Sequence, residues 1–309
     1  MENRSFRELL RASFKSSDTE EWLDVHFTRP IGLAFALLWE KLGVHPNAIT
    51  VLSIFLGLAA GYMFYFTDLC HNICGIVLLM LANFCDSTDG QLARLTGKKT
   101  LVGRVLDGLS GDIWFTAIYL AFILRLWNQN IPLTDHRWGF WALVLAFVAG
   151  VMSHSPQSSL ADYYRQIHLY FIKGRQGSEL DKSDAQDAKA DQLPEHDLFG
   201  HLFYTNYARY CRSQEKRTPR FQRFYNKLHE KYGDNIPQEV RQEFREGSLP
   251  LMPLTNILTF NTRAIMIYIT ALLNCPWVYM VIEITVMNLL YWYMKSRHER
   301  LCERMTSKL

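Results

Sequence analysis

The sequence predicts an all-α integral membrane protein, with six transmembrane helices preceded by an N-terminal interfacial helix. Three observations predict this fold class. Apolar residues concentrate in six stretches, each close to the roughly 20 residues that a helix needs to cross a bilayer. Polar segments separate these stretches, and Lys and Arg crowd alternate segments. The predicted spans are residues 48–66, 73–93, 103–127, 138–153, 257–273 and 277–293.

Residues 1–46 are predicted to form a cytoplasmic N-terminal tail and an amphipathic interfacial helix. The apolar stretch 31–42 follows Arg29 and Pro30, and it is too short to cross a bilayer. We therefore expect it to lie along the membrane surface. The charged N-terminus lacks the apolar core of a cleavable signal peptide.

The rest of the chain divides into three parts. Residues 47–172 hold the first four predicted membrane helices, and residues 251–309 hold the last two and a basic tail. Between them lies a polar insertion, residues 173–250. Its first part, 174–195, has the composition of a flexible linker. Its second part, 198–244, alternates aromatic and basic residues at a spacing that favours amphipathic helices.

Acidic residues lie within or at the edge of the second and third predicted spans, where charge is costly and indicates a functional site. They share helix faces with small residues at spacings of three and four. The residues concerned are Asp86, Asp89, Gly90 and Ala93 on the second span, and Gly103, Asp107 and Gly111 on the third. A short loop joins the two spans, so their polar ends are expected to face each other.

Carboxylates brought together in this way repel one another unless cations lie between them. Ligation by carboxylate oxygens alone suits hard cations such as Mg²⁺, Mn²⁺ or Ca²⁺. Two other interpretations remain open. The carboxylates could be solvated charges at a helix end, matched by the neighbouring Arg94, Lys98, Lys99 and Arg104, or they could line a proton or ion pathway.

The same residues resemble a known family. The CDP-alcohol phosphotransferases carry the signature D-x2-D-G-x2-A-R-x8-G-x3-D-x3-D. The positions that match it are Asp86, Asp89, Gly90, Ala93, Arg94, Gly103 and Asp107. The last position departs from the signature, because Gly111 stands where the family has Asp, and Asp112 follows one residue later.

The resemblance implies a transferase of phospholipid biosynthesis. A hydroxyl of an alcohol acceptor would attack the β-phosphorus of a CDP-linked donor such as CDP-diacylglycerol, and CMP would leave. The family binds two Mg²⁺ or Mn²⁺ ions through its aspartates, here Asp86, Asp89 and Asp107, and it forms homodimers. By the same resemblance Gly90, Ala93, Arg94 and Gly103 border the cofactor and cytidine diphosphate site. The sequence from Pro46 to Thr50 resembles the family's P-N-x-x-T, in which Asn47 either caps the helix or contacts the nucleotide.

The family's final Asp serves as metal ligand and general base, so the shift to Asp112 matters. On a regular helix Asp112 points about 100° away from the family position. Gly108 and Gly111 tolerate backbone distortion, and a single π-bulge would swing Asp112 onto the face of Asp107. We therefore predict a bulge here, with Asp112 as the fourth metal ligand and the catalytic base.

Basic residues predict the orientation. Lys and Arg crowd both tails, the loop after Arg94 and the insertion, whereas the alternate loops carry only Arg137. By the positive-inside rule, both termini and the site face the cytoplasm. Arg104 and Arg165 could instead recognise a phosphorylated polyol acceptor such as inositol phosphate. The net charge of +3 and the lack of a binding motif argue against a nucleic-acid partner.

One alternative function of a different class remains. The chain could be a degenerate family member or a cation-binding carrier that keeps the metal site without the chemistry. Gly111 is the feature that favours this alternative, because it removes the last carboxylate of the signature.

Overall fold

A computed structural model describes residues 5–14, 16–98, 100–194 and 196–309. Within these ranges the chain is helical and contains no strand, so the all-α prediction is confirmed. Four helices in the described part are long and apolar enough to cross a membrane: Pro46–Tyr65, Leu69–Thr96, Val105–Leu126 and Phe140–Lys173. These correspond to the first four predicted spans and indicate a multi-pass membrane protein.

The α-helices are numbered in chain order. They are α1 (Phe6–Ser13), α2 (Arg29–Lys41), α3 (Pro46–Tyr65), α4 (Leu69–Thr96), α5 (Leu101–Leu126), α6 (Phe140–Phe147), α7 (Ser155–Lys173), α8 (Ser183–Asp191), α9 (Leu198–Arg217), α10 (Pro219–Tyr232), α11 (Gln238–Ser248), α12 (Met252–Ile257), α13 (Phe260–Leu272), α14 (Pro276–Ile282) and α15 (Asn288–Lys308). Among the described residues, π-helical turns occur at Asp24–Thr28, Val148–His154 and Glu283–Met287. The chain divides into two compact units, the first comprising residues up to Ser155 together with Phe260–Val286, and the second comprising Pro156–Thr259 and Met287–Leu309.

The last two predicted spans are not confirmed. The predicted span 257–273 falls on α13, whose 13 residues extend for about 20 Å, less than the hydrocarbon core of about 30 Å. The predicted span 277–293 falls on α14, a π-helical turn and the start of α15. The total of six spans therefore remains a prediction.

In the first unit, α3, α4 and α5 pack against one another because small residues allow close approach. A Cβ atom placed on Gly61 of α3 would lie only 2.7 Å from the Cβ of Ala117 on α5. The predicted interfacial helix is present as α2, which buries Gly32, Leu33 and Ala36 and exposes Phe35. Its location at a membrane surface remains a prediction.

Local capping positions the α4–α5 hairpin. Gly97 has φ +68°, in the left-handed region that glycine tolerates, and it ends α4. The hydroxyl of Thr100 then accepts a hydrogen bond from the N–H of Gly103 at 2.9 Å, which begins α5. Only four residues separate the helices, so the polar end of α4 is held near the start of α5.

The second unit corrects the flexible-linker prediction for residues 174–195. Its described part includes α8, which packs on α9. The Ser183 hydroxyl donates to Glu215 at 2.6 Å, and the Tyr207 hydroxyl donates to Asp181 at 2.9 Å. The polar composition suggested disorder because the segment can bury few apolar side chains. These hydrogen bonds to α9 stabilise the segment instead. The helices predicted for 198–244 are confirmed as α9, α10 and α11.

Candidate active site

Three carboxylates from α4 and α5 lie together in the first unit. One oxygen each from Asp86, Asp89 and Asp107 fall within 4.8 Å of one another. Asp89 is buried, Asp86 is half-buried and Asp107 is exposed. The cluster thus closes around Asp89 and opens at Asp107. The sequence predicted this meeting of the polar ends of two neighbouring helices.

Hydroxyl groups from two helices orient these carboxylates. Ser110 on α5 donates to Oδ1 of Asp86 at 2.8 Å, and it is 1% exposed. Thr50 on α3 donates to Oδ2 of Asp89. Neither hydroxyl is among the site residues predicted from the sequence. The P-N-x-x-T resemblance pointed to Thr50, whereas nothing in the sequence marked Ser110 apart from its position three residues after Asp107.

The remaining oxygen of Asp89 shows whether a cation fits. Its Oδ1 is buried and has no hydrogen-bond partner in the described part of the chain. An unpartnered carboxylate oxygen in a buried position is costly, and two further carboxylates adjoin it. A hard divalent cation would satisfy the oxygen and cancel the repulsion, and an all-oxygen donor set suits Mg²⁺ or Mn²⁺.

Small residues leave space beside the cluster. A Cβ atom placed on Gly108 or Gly111 would meet no atom within 4 Å. At Gly90 the nearest atom to such a Cβ would be Nη1 of Arg94, at 3.5 Å. Gly108 and Gly111 therefore border open space, and the Arg94 guanidinium extends back over Gly90.

Gly103 and Asn47 make a contact between helices. A Cβ on Gly103 would lie 2.7 Å from Oδ1 of Asn47, so glycine permits α3 and α5 to approach here. The amide of Asn47 donates to the Thr100 hydroxyl at 3.4 Å. The capping interpretation of Asn47 is wrong, because the ring of His45 is the cap and accepts from the Asn47 N–H at 3.2 Å.

The predicted π-bulge at Gly111 is wrong. The helix α5 is regular from Leu101 to Leu126, and Asp112 is not among the clustered carboxylates of the described residues. A bulge would disturb hydrogen bonds of the helix. The described residues make no close contact at Gly108 or Gly111 that would stabilise such a distortion. The role of Asp112 as metal ligand and base depended on the bulge, and this geometry does not support it.

The predicted basic residues have different locations. Arg94 is exposed and makes no hydrogen bond in the described part of the chain. Arg165 lies on α7 in the second unit and is half-buried. The side chain of Arg104, like the whole of Lys99, lies outside the described residues. Ala93 is half-buried on α4, on the face of Asp86 and Asp89.

Apolar helices that carry a carboxylate cluster able to hold a metal ion are typical of integral membrane proteins with catalytic or transport chemistry. Residues 43–161 match the model of the CDP-alcohol phosphatidyltransferase family. The family resemblance drawn from the signature is thereby confirmed for this segment, which contains Thr50 and all three clustered aspartates.

A curated relative also matches. The archaetidylinositol phosphate synthase of Pyrococcus horikoshii is 39% identical over 67 residues, which cover 22% of this chain and 34% of that protein. The chain thus spans about a third of the length of the curated relative that it matches.

Proposed function

We propose that this chain is a membrane phosphotransferase of phospholipid biosynthesis. It transfers a substituted phosphate, in the form of a phosphatidyl group, from a CDP-linked donor such as CDP-diacylglycerol to an alcohol acceptor, and it releases CMP. The observation that carries the proposal is the cluster of Asp86, Asp89 and Asp107 within the segment that matches the family. Its buried, unpartnered Asp89 oxygen supports a cation site.

The three aspartates would hold two Mg²⁺ or Mn²⁺ ions. When bound, such ions neutralise the pyrophosphate and stabilise the charge that develops on the leaving CMP. Thr50 and Ser110 keep the carboxylates oriented through their hydrogen bonds. In this proposal Gly90, Ala93 and Arg94 border the cytidine diphosphate. The Arg94 guanidinium supports this role because it has no hydrogen-bond partner in the described part of the chain.

The acceptor alcohol occupies the open space beside Gly108 and Gly111 in this proposal. As its oxygen bonds to the β-phosphorus and the bond to CMP breaks, its proton must leave. We assign that proton to Asp107, which is the exposed member of the cluster and lies one helical turn before Gly111. An inositol phosphate or a similar polyol is the proposed acceptor, supported by the name of the partial relative.

The membrane orientation and assembly are part of the proposal. The distribution of Lys and Arg supports a cytoplasmic location for both termini, the insertion and the site. That location would give the site access to soluble nucleotides and to a lipid donor from the bilayer. A homodimer is proposed from the family resemblance.

The test is CMP release by the purified protein in lipid nanodiscs. Mn²⁺, CDP-diacylglycerol and one alcohol at a time are mixed, with inositol phosphate, inositol, glycerol phosphate and serine as acceptors. We expect CMP and a matching lipid product with inositol phosphate, and none with Asp89→Asn. Mn²⁺ binding without CMP from any alcohol would contradict the proposal and favour the degenerate member or carrier that Gly111 suggests.

A further inference from the structure

An arginine outside the family signature contacts α4, the helix that carries two of the clustered aspartates. Arg29 begins α2, and its Nε and Nη2 donate to the two oxygens of Glu20 at 3.2 and 3.3 Å. The Glu20 side chain is only 3% exposed, and that of Arg29 is 17% exposed. Both residues precede the segment 43–161 that matches the family. This side-on pairing leaves the N–H groups of Nη1 on the far edge of the guanidinium.

Backbone contacts fix Arg29 against the active-site helix. The side-chain amide of Gln91 on α4 donates to the carbonyl of Arg29 at 3.2 Å, and the Ser87 hydroxyl donates to the carbonyl of Thr28 at 3.4 Å. A Cβ atom on Gly32 would lie 2.6 Å from Nε2 of Gln91, so the two helices are in close contact. Ser87 and Gln91 lie at the same level of α4 as Asp86 and Asp89 but share a different face of the helix, so the start of α2 packs on α4 at the level of the carboxylate cluster.

Arg29 and Arg94 are neighbours across the contact between α2 and α4. Arg94 lies one helical turn after Gln91, whose side-chain amide donates to the carbonyl of Arg29 at 3.2 Å. Two guanidinium groups that are close together repel. Glu20 is bound to the Nε–Nη2 side of Arg29, and Arg94 makes no hydrogen bond in the described part of the chain. An anion between the two groups would remove the repulsion and satisfy several N–H donors at once.

We propose that Arg29, oriented by Glu20, binds a phosphate group of a substrate together with Arg94; this inference rests on the proposed function. Guanidinium groups suit this task because their fork of N–H donors matches phosphate oxygens. The phosphate is either the pyrophosphate of the CDP-linked donor or the phosphate ester of a phosphorylated acceptor. Arg29 is a binding residue in this proposal, and Glu20 is a positioning residue.

A structural role is the competing explanation, since the Arg29–Glu20 pair also holds the N-terminal segment. Variants separate the two roles. Arg29→Gln removes the guanidinium and the pair, Glu20→Gln weakens the pair but keeps the guanidinium, and Arg29→Lys keeps the charge without the fork. Arg11→Gln is the matched control, because Arg11 is an exposed arginine of the same N-terminal segment.

The experiment measures KM and kcat for donor and acceptor separately, with thermal stability as a check on folding. We expect Arg29→Gln to raise the KM for one phosphate-bearing substrate about 10- to 100-fold, the loss typical of a charged hydrogen-bond partner, with kcat within about twofold. Arg29→Lys should recover part of this loss, and Glu20→Gln should have a smaller effect. A higher donor KM assigns the pyrophosphate, and a higher acceptor KM assigns the phosphate ester.

Titration with CDP and with inorganic phosphate in the presence of Mn²⁺ provides a readout that does not need turnover. Weaker binding of CDP or phosphate by Arg29→Gln than by Arg11→Gln supports the proposal, whether or not the wild type releases CMP. Absence of CMP release by the wild type would contradict the proposed function and leave the binding role of Arg29 supported. Unchanged KM values and unchanged titrations in Arg29→Gln would overturn the proposal. The proposal would also be overturned if Arg29→Gln and Glu20→Gln lost substrate binding to the same extent and in proportion to their loss of thermal stability, because the pair would then have a structural role.

Discussion

The two ends of α5 bury charge in opposite ways. Near its start, Asp107 joins Asp86 and Asp89, and Oδ1 of Asp89 is left without a hydrogen bond among the described residues. Near its end, about 27 Å further along the helix, Arg125 is 4% exposed and uses its whole guanidinium. At the first site one carboxylate oxygen of Asp89 has no hydrogen-bond partner among the described residues, whereas at the second site the protein itself binds every donor of Arg125.

The Arg125 site shows how a structural charge is stabilised within membrane helices. Its guanidinium donates five hydrogen bonds, at 2.7 to 3.2 Å, to acceptors on three other segments of the first unit. These acceptors are the Phe64 carbonyl, the Asn72 side chain, the Ala271 carbonyl and the Asn274 side chain. Every N–H donor of the guanidinium is used, so there is no capacity for a ligand. Arg125 therefore supports the fold, whereas the unsatisfied oxygen of Asp89, with two other carboxylates beside it, favours a bound cation.

The largest effect that tests this contrast is expected for Asp89→Asn. The substitution keeps the shape and removes the buried charged ligand, so CMP release should fall by at least about a thousandfold, the scale of several kcal/mol of metal-assisted stabilisation. Thermal stability should stay the same or rise, because an unpartnered buried charge is removed. Asp68→Asn, at the exposed N-cap of the same helix, is the control. Near-normal turnover in Asp89→Asn would contradict the metal assignment.

Arg125→Met should have the opposite profile. It keeps the aliphatic stem but leaves buried acceptors without a donor, so the free energy of unfolding should fall by about 3 kcal/mol or more. Activity per folded molecule should change by less than about twofold, because the site is distant from the carboxylates. Denaturation in detergent micelles, compared with the exposed-loop variant Arg137→Met, measures the loss. A large loss of kcat with unchanged stability would remove the distinction between the two ends of the helix.

The hydroxyl next to Asp89 gives an intermediate effect. Thr50→Val is nearly isosteric and removes the hydroxyl that donates to Asp89 and also contacts the Pro46 carbonyl of its own helix at 3.3 Å. Outer-shell partners of metal ligands contribute about 10- to 100-fold to metal affinity or activity, so the Mn²⁺ concentration for half-maximal activity should rise by that factor. Thr96→Val is a suitable control, since among the described residues the Thr96 hydroxyl bonds to the Leu92 carbonyl of its own helix and to no carboxylate. An unchanged Mn²⁺ dependence would show that Thr50 does not orient the ligand.

The parts of the site that the sequence predicts correctly depend on residues close together along the chain. The helical period alone put Asp86 and Asp89 on one face, and the short loop brought Asp107 to them. It could not identify the partners of Arg125, because Asn72 and Asn274 are 53 and 149 residues away along the chain. Thr50 and Ser110 were missed because helical periodicity does not show which hydroxyl of one helix meets a carboxylate of another. The π-bulge prediction failed because glycine permits a distortion without favouring it.

A third way of burying an ionisable group appears in the second unit. His298 is 1% exposed, and its ring stacks on Tyr164 with centroids 3.9 Å apart. Burial, with a smaller contribution from the charge of His168, lowers the pKa of His298 to about 3. The ring is therefore kept neutral, in contrast to the two charged sites on α5.

This neutral histidine makes the stability of the fold sensitive to acid. The unfolded value is near 6.5, so between about pH 6.5 and pH 3 the unfolded chain binds more protons than the folded chain. The contribution of His298 to the free energy of unfolding is fully present above pH 6.5. It falls as the pH decreases, by about 2 kcal/mol at pH 5. In His298→Gln the unfolding free energy should change less between pH 8 and pH 5 than in the exposed-residue control His196→Gln. Identical slopes would contradict the neutral assignment.

The smallest effect is expected at the shifted carboxylate. Because α5 is regular, Asp112 points about 100° away from the position of the family's final Asp, and Asp112→Asn should change CMP release by less than about threefold. Gly111 borders open space, so Gly111→Asp should fold normally and lower the Mn²⁺ concentration needed for half-maximal activity, because it adds a carboxylate one turn from Asp107. The two variants are compared at limiting and saturating Mn²⁺. A loss in Asp112→Asn as large as that in Asp89→Asn would mean that the helix distorts when substrates bind, and that the unsatisfied site recruits a fourth carboxylate after all.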